Sequence, residues 1–288
     1  SPGSINFFFP SSVPANRNKT NIAARLCQKP GDAARATVFD PSTMTPANFT
    51  ASPITTHDCF GQFAIDLALA WIGIIGFAVI MYVILDGFDL GIGILFPFFP
   101  TKHHRSLMLS TVIPVWDGNQ TWLVFGGACM YGAFPKAFAS TMPVIYFPMI
   151  MMLIALVFRG VAFEFRMKAT RTMYLWDISF CLGSSLAAFS QGVILGTYVQ
   201  GFGPVAPSYA SVPHYQWLTA FSFMTGLGTM CGYVLLACCW LVIKTTGPLQ
   251  KKAFLYGKYA CIAVAAFMLA FSIWTPFLGE VHFDRWLR

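Results

Sequence analysis

The sequence predicts an all-α fold, a polytopic bundle of membrane helices. Three observations predict it. Of 288 residues, 56% are hydrophobic and only 10% are charged. The apolar residues fall into runs near the roughly 20 residues that cross a bilayer. The loops between those runs alternate between basic and nearly uncharged, as positive-inside topology requires. The net charge of +7 is carried by no basic tract. It therefore reads as membrane topology, and no nucleic-acid partner is expected.

Residues 1–60 stand apart. They hold Pro10, Pro14, Pro30, Pro41, Pro46 and Pro53 among many Ser, Thr and Asn, with no sustained periodicity. Such a composition reads as loop or disorder. Phe7-Phe8-Phe9 is too short for the apolar core of a signal peptide. Residues 61–288 are the membrane-spanning domain.

Six spans are expected, at about 63–85 (with an extension toward 99), 112–134, 141–163, 177–199, 217–243 and 256–277. Lys102 and Arg105 follow the first span. Arg159, Arg166, Lys168 and Arg171 follow or close the third. Lys244, Lys251, Lys252 and Lys258 follow the fifth. Against these ten basic residues the opposite loops offer Lys136 alone. The asymmetry predicts an outside N-terminus, with the loops after spans one, three and five in the cytoplasm.

Cys129, Cys181, Cys231, Cys238, Cys239 and Cys261 all fall inside apolar runs without metal-ligand spacing. They read as small packing residues. Cys27 and Cys59 lie outside those runs, where a disulfide is an alternative. His57, His103, His104, His214 and His282 all fall in loops or near helix ends. A chain that ligates haem between its helices normally needs an intramembrane His, so this chain is not expected to hold a haem alone.

The chemistry concentrates where the first apolar run ends, at Asp86-Gly87-Phe88-Asp89-Leu90-Gly91-Ile92-Gly93. An acid at the centre of a membrane helix costs roughly 2.5–3.5 kcal/mol on insertion scales. Asp86 and Asp89, at i and i+3, share one helix face. The second span returns with Trp116-Asp117-Gly118-Asn119-Gln120-Thr121-Trp122, which sets Asp117, Asn119 and Gln120 at a similar depth. The third ends inward at Phe158-Arg159-Gly160-Val161-Ala162-Phe163-Glu164-Phe165-Arg166. Asp86, Asp89, Asp117, Asn119, Gln120 and Glu164 are thus candidates for a proton path at the cytoplasmic side. Arg159 and Trp122 are candidates for contact with a charge partner or a quinone. The plain alternative is that these groups tie helix ends together, that Arg159 snorkels and that Glu164 pairs with Lys168 at i+4. Gln191, inside the fourth span, reads as a helix-to-helix hydrogen bond or as part of a polar path.

These motifs resemble subunit II of the cytochrome bd-type quinol oxidases. The likeness rests on Tyr82 to Gly93, Trp116 to Trp122, Phe158 to Arg166, Gln191-Gly192-Val193-Ile194-Leu195-Gly196 and Thr225-Gly226-Leu227-Gly228, in that order. The set is most similar to the cyanide-insensitive branch. The resemblance implies a bacterial plasma-membrane complex that oxidises quinol and reduces dioxygen to water with cytoplasmic protons. It implies haems b and d in a partner, the haem-bearing subunit I. It also implies a structural quinone in some members, a small accessory subunit and contact with membrane lipid. Asp89, Asp117 and Arg159 match family positions connected with proton access. Residues 1–60 resemble nothing in the family. The chain ends soon after its sixth span, whereas the family continues to about nine helices of bilayer length, so the membrane domain is expected to be incomplete. A proton-coupled transporter using the Asp86, Asp89 and Asp117 cluster is the alternative from another class, although no internal repeat accompanies it.

Overall fold

The computed structural model describes residues 56–201, 215–278 and 283. Two compact units divide the chain, Ser1–Ile72 and Gly73–Arg288. Of the first, only the opening of a helix is described, so the loop reading of the N-terminal extension and any pairing of Cys27 with Cys59 lie outside the described residues. The candidate site lies wholly in the second unit.

Every described element is helical: α1 (Thr56–Leu95), α2 (Lys102–Ser110), α3 (Trp116–Ala133), α4 (Pro135–Lys168), α5 (Met173–Gln200), α6 (Ala220–Lys244) and α7 (Pro248–Trp274). Short 3-10 turns follow α1 at Phe96–Phe98 and α7 at Thr275–Leu278. The helix that holds the predicted first span therefore starts before residue 63, and its extension toward residue 99 is present. The short α2 was not foreseen in the sequence, because nine residues with six polar or charged heads carry little apolar periodicity.

The helix ends follow local chemistry. Pro135 and Pro248 open α4 and α7 in the first turn, where a missing N–H costs nothing. The Thr219 side chain caps α6 by accepting from the Ser222 N–H at 3.1 Å. Gly201, with φ of +79°, closes α5 in a conformation that disfavours a side chain. Pro143 and Pro148 sit inside α4 without ending it, as membrane helices tolerate.

Among the described residues, five helices are long and apolar enough to cross a bilayer: Asp66–Phe98, Pro135–Lys168, Met173–Gln200, Ala220–Lys244 and Pro248–Leu278. The expected span over 112–134 is present as α3, but its 18 residues are not among these five. At 1.5 Å per residue α3 reaches about 27 Å, and its first turn is spent on Asp117, Asn119 and Gln120. The multi-pass, all-α architecture stands with this one correction.

Consecutive helices α4, α5, α6 and α7 pack side by side. Glycine permits the tightest approach. A Cβ on Gly91 of α1 would lie 1.9 Å from the Tyr233 carbonyl oxygen of α6, so only hydrogen fits there. One apolar core gathers Ile92, Leu95, Phe96, Phe99, Met108, Phe163, Phe180 and Leu241. A second joins Leu90, Met152, Ala155, Leu156, Ala187, Ala188 and Tyr233. Large apolar side chains such as Val124, Val157, Ile243 and Phe254 point outward, the inverse of a water-soluble surface. Cys129, Cys181, Cys231 and Cys238 are at least partly buried, whereas Cys239 and Cys261 are exposed on the helix surface.

Candidate functional site

The site begins with helical spacing on α1. Asp86 and Asp89 sit on the same face, and that face turns inward, leaving both fully buried. From α4, Arg159 reaches them with its whole side chain buried. Its Nη1 donates to Asp86 Oδ1 at 2.8 Å, and its Nη2 stands 3.7 Å from Asp89 Oδ2. Asp86 therefore has a close charge-assisted bond, and Asp89 has a looser electrostatic contact. The short α3 supplies the remaining donor. Asn119 Nδ2 gives a hydrogen bond to Asp89 Oδ2 at 2.8 Å and lies 3.2 Å from the Leu85 carbonyl oxygen. The Arg159 guanidinium also lies over the Phe163 ring, 5.6 Å from its centre, and Trp116 stacks on that ring from beyond at 4.9 Å.

Of the residues expected at the site, the structure brings together Asp86, Asp89, Arg159 and Asn119. The others stand elsewhere. Asp117 opens α3 on its exposed side, and Glu164 and Lys168 are both exposed on α4. Gln120 is partly buried, with an Nε2 that has no partner among the described residues. Trp122 packs edge-on against Phe77 at 5.7 Å and Phe125 at 6.2 Å. Arg159 is a group inside the bundle and not a loop charge, and it faces two carboxylates.

Two further features complete the polar interior; the Gln191 bonds follow the expected helix-to-helix reading, and the second escaped the sequence reading. On α5, the Gln191 amide links two buried tyrosines. Tyr233 on α6 donates to Gln191 Oε1 at 2.6 Å, and Gln191 Nε2 donates to the Tyr82 hydroxyl at 2.6 Å. Nearer the α1 C-terminus lies a second charged cluster. Asp177, at the start of α5, takes a short bond from Arg166 Nε and a 3.0 Å bond from Arg105 Nη1. Arg105 Nε also donates to the carbonyls of Phe99 at 2.7 Å and Phe96 at 3.1 Å. Nothing in the sequence marks Asp177 as different from a polar residue opening a span. Arg105 and Arg166 read as topology charges until their partners are seen. The other seven basic residues of that count are all exposed.

Among the described residues, no group of three His, Cys, Asp or Glu side chains is placed to hold a metal. The five bilayer-length spans, Asp66–Phe98, Pro135–Lys168, Met173–Gln200, Ala220–Lys244 and Pro248–Leu278, contain no histidine, and His57 falls in the first turn of α1, ahead of its span. His103 and His104 lie on α2; His214 and His282 fall outside the described residues.

Residues 67–286 match the family described as cytochrome bd terminal oxidase subunit II. Cytochrome bd-I ubiquinol oxidase subunit 2 of Escherichia coli (strain K12) is 27% identical over 218 residues, covering 73% of this chain and 58% of that protein. Probable cytochrome oxidase subunit 2 of Haemophilus influenzae is 29% identical over 216 residues, covering 72% and 57%. Cytochrome bd ubiquinol oxidase subunit 2 of Bacillus subtilis (strain 168) is 27% identical over 218 residues, covering 75% and 64%. The chain thus spans less than two thirds of the length of these relatives.

Proposed function

The chain belongs to the cytochrome bd terminal oxidase subunit II family, and from that premise we propose that it serves a terminal quinol oxidase in the bacterial plasma membrane. In this reading it acts as the scaffold for a haem-bearing subunit I, which carries haems b and d. The complex oxidises quinol and reduces dioxygen to water. Residues of this chain line part of the route by which cytoplasmic protons reach the partner, and its N-terminus lies outside.

One observation carries the proton role: two fully buried carboxylates share one buried guanidinium. With both acids ionised, the cluster would hold an excess negative charge in the buried interior of the bundle. An uncompensated buried ion costs several kcal/mol. Charge balance is met when the pair holds one proton between them. Asp86 has the close bond to Arg159 and remains its ionic partner. Asp89, with the looser contact and a neutral donor in Asn119, is the member that takes up and releases the proton. Asp117, two residues before Asn119 and exposed, stands where protons arrive from water.

The test is Asp89→Asn in the assembled oxidase. Quinol-driven oxygen uptake is expected to fall on the order of 10²-fold, the scale of a lost acid–base group, while haem spectra show an intact complex. Undiminished uptake with full haem content would count against the proton role. Oxygen uptake that does not require this chain would count against the oxidase reading itself.

A further inference from the structure

The hairpin of α6 and α7 has no part in that account. Its short turn, Thr245 to Gly247, ends on Gly247 with φ of +76°, a backbone that glycine adopts without strain. The tight turn gathers Lys244 of α6 and Lys251, Lys252 and Lys258 of α7 toward one end of the pair. All four are exposed. Among the described residues every ion pair uses an arginine and none a lysine. No Asp or Glu stands between Asp177 and Glu280. The hairpin therefore carries four positive charges and no negative one.

An open groove of about 390 Å³ lies at this end, lined by Val242, Gln250, Lys251 and Phe254. Gln250 Nε2 donates to the Val242 carbonyl at 2.9 Å and ties the two helix ends together. Two of the lysines rest against aromatic rings. Lys244 Nζ is 5.0 Å from the centre of the Trp240 ring, and Lys258 Nζ is 5.1 Å from that of Phe254. Cations laid over aromatic rings in this way are typical of the boundary between membrane and water. Helical spacing sets Lys251, Phe254 and Lys258 on one face of α7. The same face continues through Ile262, Leu269 and Ile273, each more than half exposed. From Lys258 to Leu269 the helix rises about 16 Å, the depth of one leaflet of a roughly 30 Å hydrocarbon core. The most apolar stretch of α7 has no buried residue, so this face meets whatever surrounds the bundle.

We propose that this face of the hairpin is a binding site for an anionic phospholipid. Its phosphate meets Lys251 in the groove, flanked by Lys258 and by Lys244 across the turn, and an acyl chain lies along Ile262 and Leu269. Charge selects the class of lipid. A zwitterionic headgroup brings its own cation, which finds no carboxylate on the hairpin, whereas an anionic one offers the lysines uncompensated negative charge. An acidic protein segment would match the charge as well. It would not match an apolar stripe that runs on from the lysines to bilayer depth, nor a groove near the lower end of the size range for small ligands. The site is independent of the proton role, and it stands whether or not Asp89 moves a proton.

The detergent-solubilised complex is titrated with phosphatidylglycerol or phosphatidylcholine in mixed micelles, and retained lipid is counted by native mass spectrometry. Phosphatidylglycerol is expected to be retained in preference. Each lysine beside an anionic headgroup contributes about 5-fold, so Lys251→Gln combined with Lys258→Gln is expected to weaken retention of one phosphatidylglycerol about 30-fold. Lys252→Gln, outside the groove lining, is expected to change it less than about 5-fold. Ile262→Gln, which interrupts the stripe and leaves the charge in place, is expected to weaken it as well. These side chains are exposed, and thermal unfolding without added lipid checks that each variant folds as the native protein does. Equal retention of the two lipids overturns the proposal, as does an equal loss in Lys252→Gln. Displacement of the lipid by excess inorganic phosphate would mean a bare anion site. Lysine variants that shed a protein partner and keep their lipid would mean a protein contact. Either result overturns the lipid assignment.

Discussion

The two buried charge clusters are mirror images in composition. One sets two carboxylates, Asp86 and Asp89, against one guanidinium, Arg159. The other sets two guanidinium groups, Arg105 and Arg166, against one carboxylate, Asp177. Their chemistry differs more than the count suggests. A carboxylate in excess can take up a proton and become neutral, but a guanidinium stays charged at any ordinary pH. The acid-rich cluster therefore has two charge states available, and the arginine-rich cluster has one. The surroundings agree. Every member of the first is fully buried, whereas Arg105 of the second keeps 16% of its side chain exposed. The second also offsets its surplus charge with the Phe96 and Phe99 carbonyls at the end of α1, where a helix presents partial negative charge. The first suits a group that must change charge; the second suits a clamp joining α2, α4 and α5.

Substitutions can break this comparison. The largest effect is expected for Asp177→Asn. It strands two cations that cannot neutralise, and should cost about 5 kcal/mol, the upper end for breaking a buried pair. Thermal unfolding of the detergent-solubilised complex would show it. Arg159→Met should cost less, about 3 kcal/mol, because both orphaned acids can respond by binding protons. Equal losses in the two variants would remove the distinction between the clusters. Gly91→Ala tests the packing that brings α6 beside α1. The new methyl meets the Tyr233 carbonyl, and overpacking should cost about 2 kcal/mol, read from the same unfolding curves. The smallest effect on stability is expected for Asp89→Asn, within about 0.5 kcal/mol of native, since it removes the surplus acid and leaves the Asp86–Arg159 pair intact. A large loss there would mean that Asp89, like Asp86, is needed as a partner of Arg159.

Much of the fold was legible because a membrane enforces a simple rule. Backbone polar groups in lipid must pair within their own segment, so apolar runs of bilayer length become helices. That logic located every long helix. It over-read α3, where the polar turn at Asp117 to Gln120 shortens the apolar stretch. The acids at Asp86 and Asp89 were legible for the same reason, since charges inside apolar runs stand out. Asp117 and Glu164 looked equivalent to them in sequence. The structure leaves both exposed, because depth along a helix does not say which face is turned inward.

The pairings that were missed share a different property, even where a member such as Gln191 had been singled out. Arg105 and Asp177 are 72 positions apart, Tyr82 and Gln191 are 109, and Gln191 and Tyr233 are 42. No local pattern pairs them, because the partner lies on another helix far along the chain. Composition, hydropathy and motif by themselves determined that this is a multi-pass helical protein of an oxidase family, with costly acids at the end of its first span. Those properties follow from transfer free energies, which each segment carries alone. Only the tertiary structure decided which acid lies close to Arg159, which arginines turn inward, and that Gln191 ties two tyrosines beside Asp86. Such pairings depend on helix rotation and approach, and these are set by close packing at positions such as Gly91, where α1 and α6 come within a hydrogen's width of clashing.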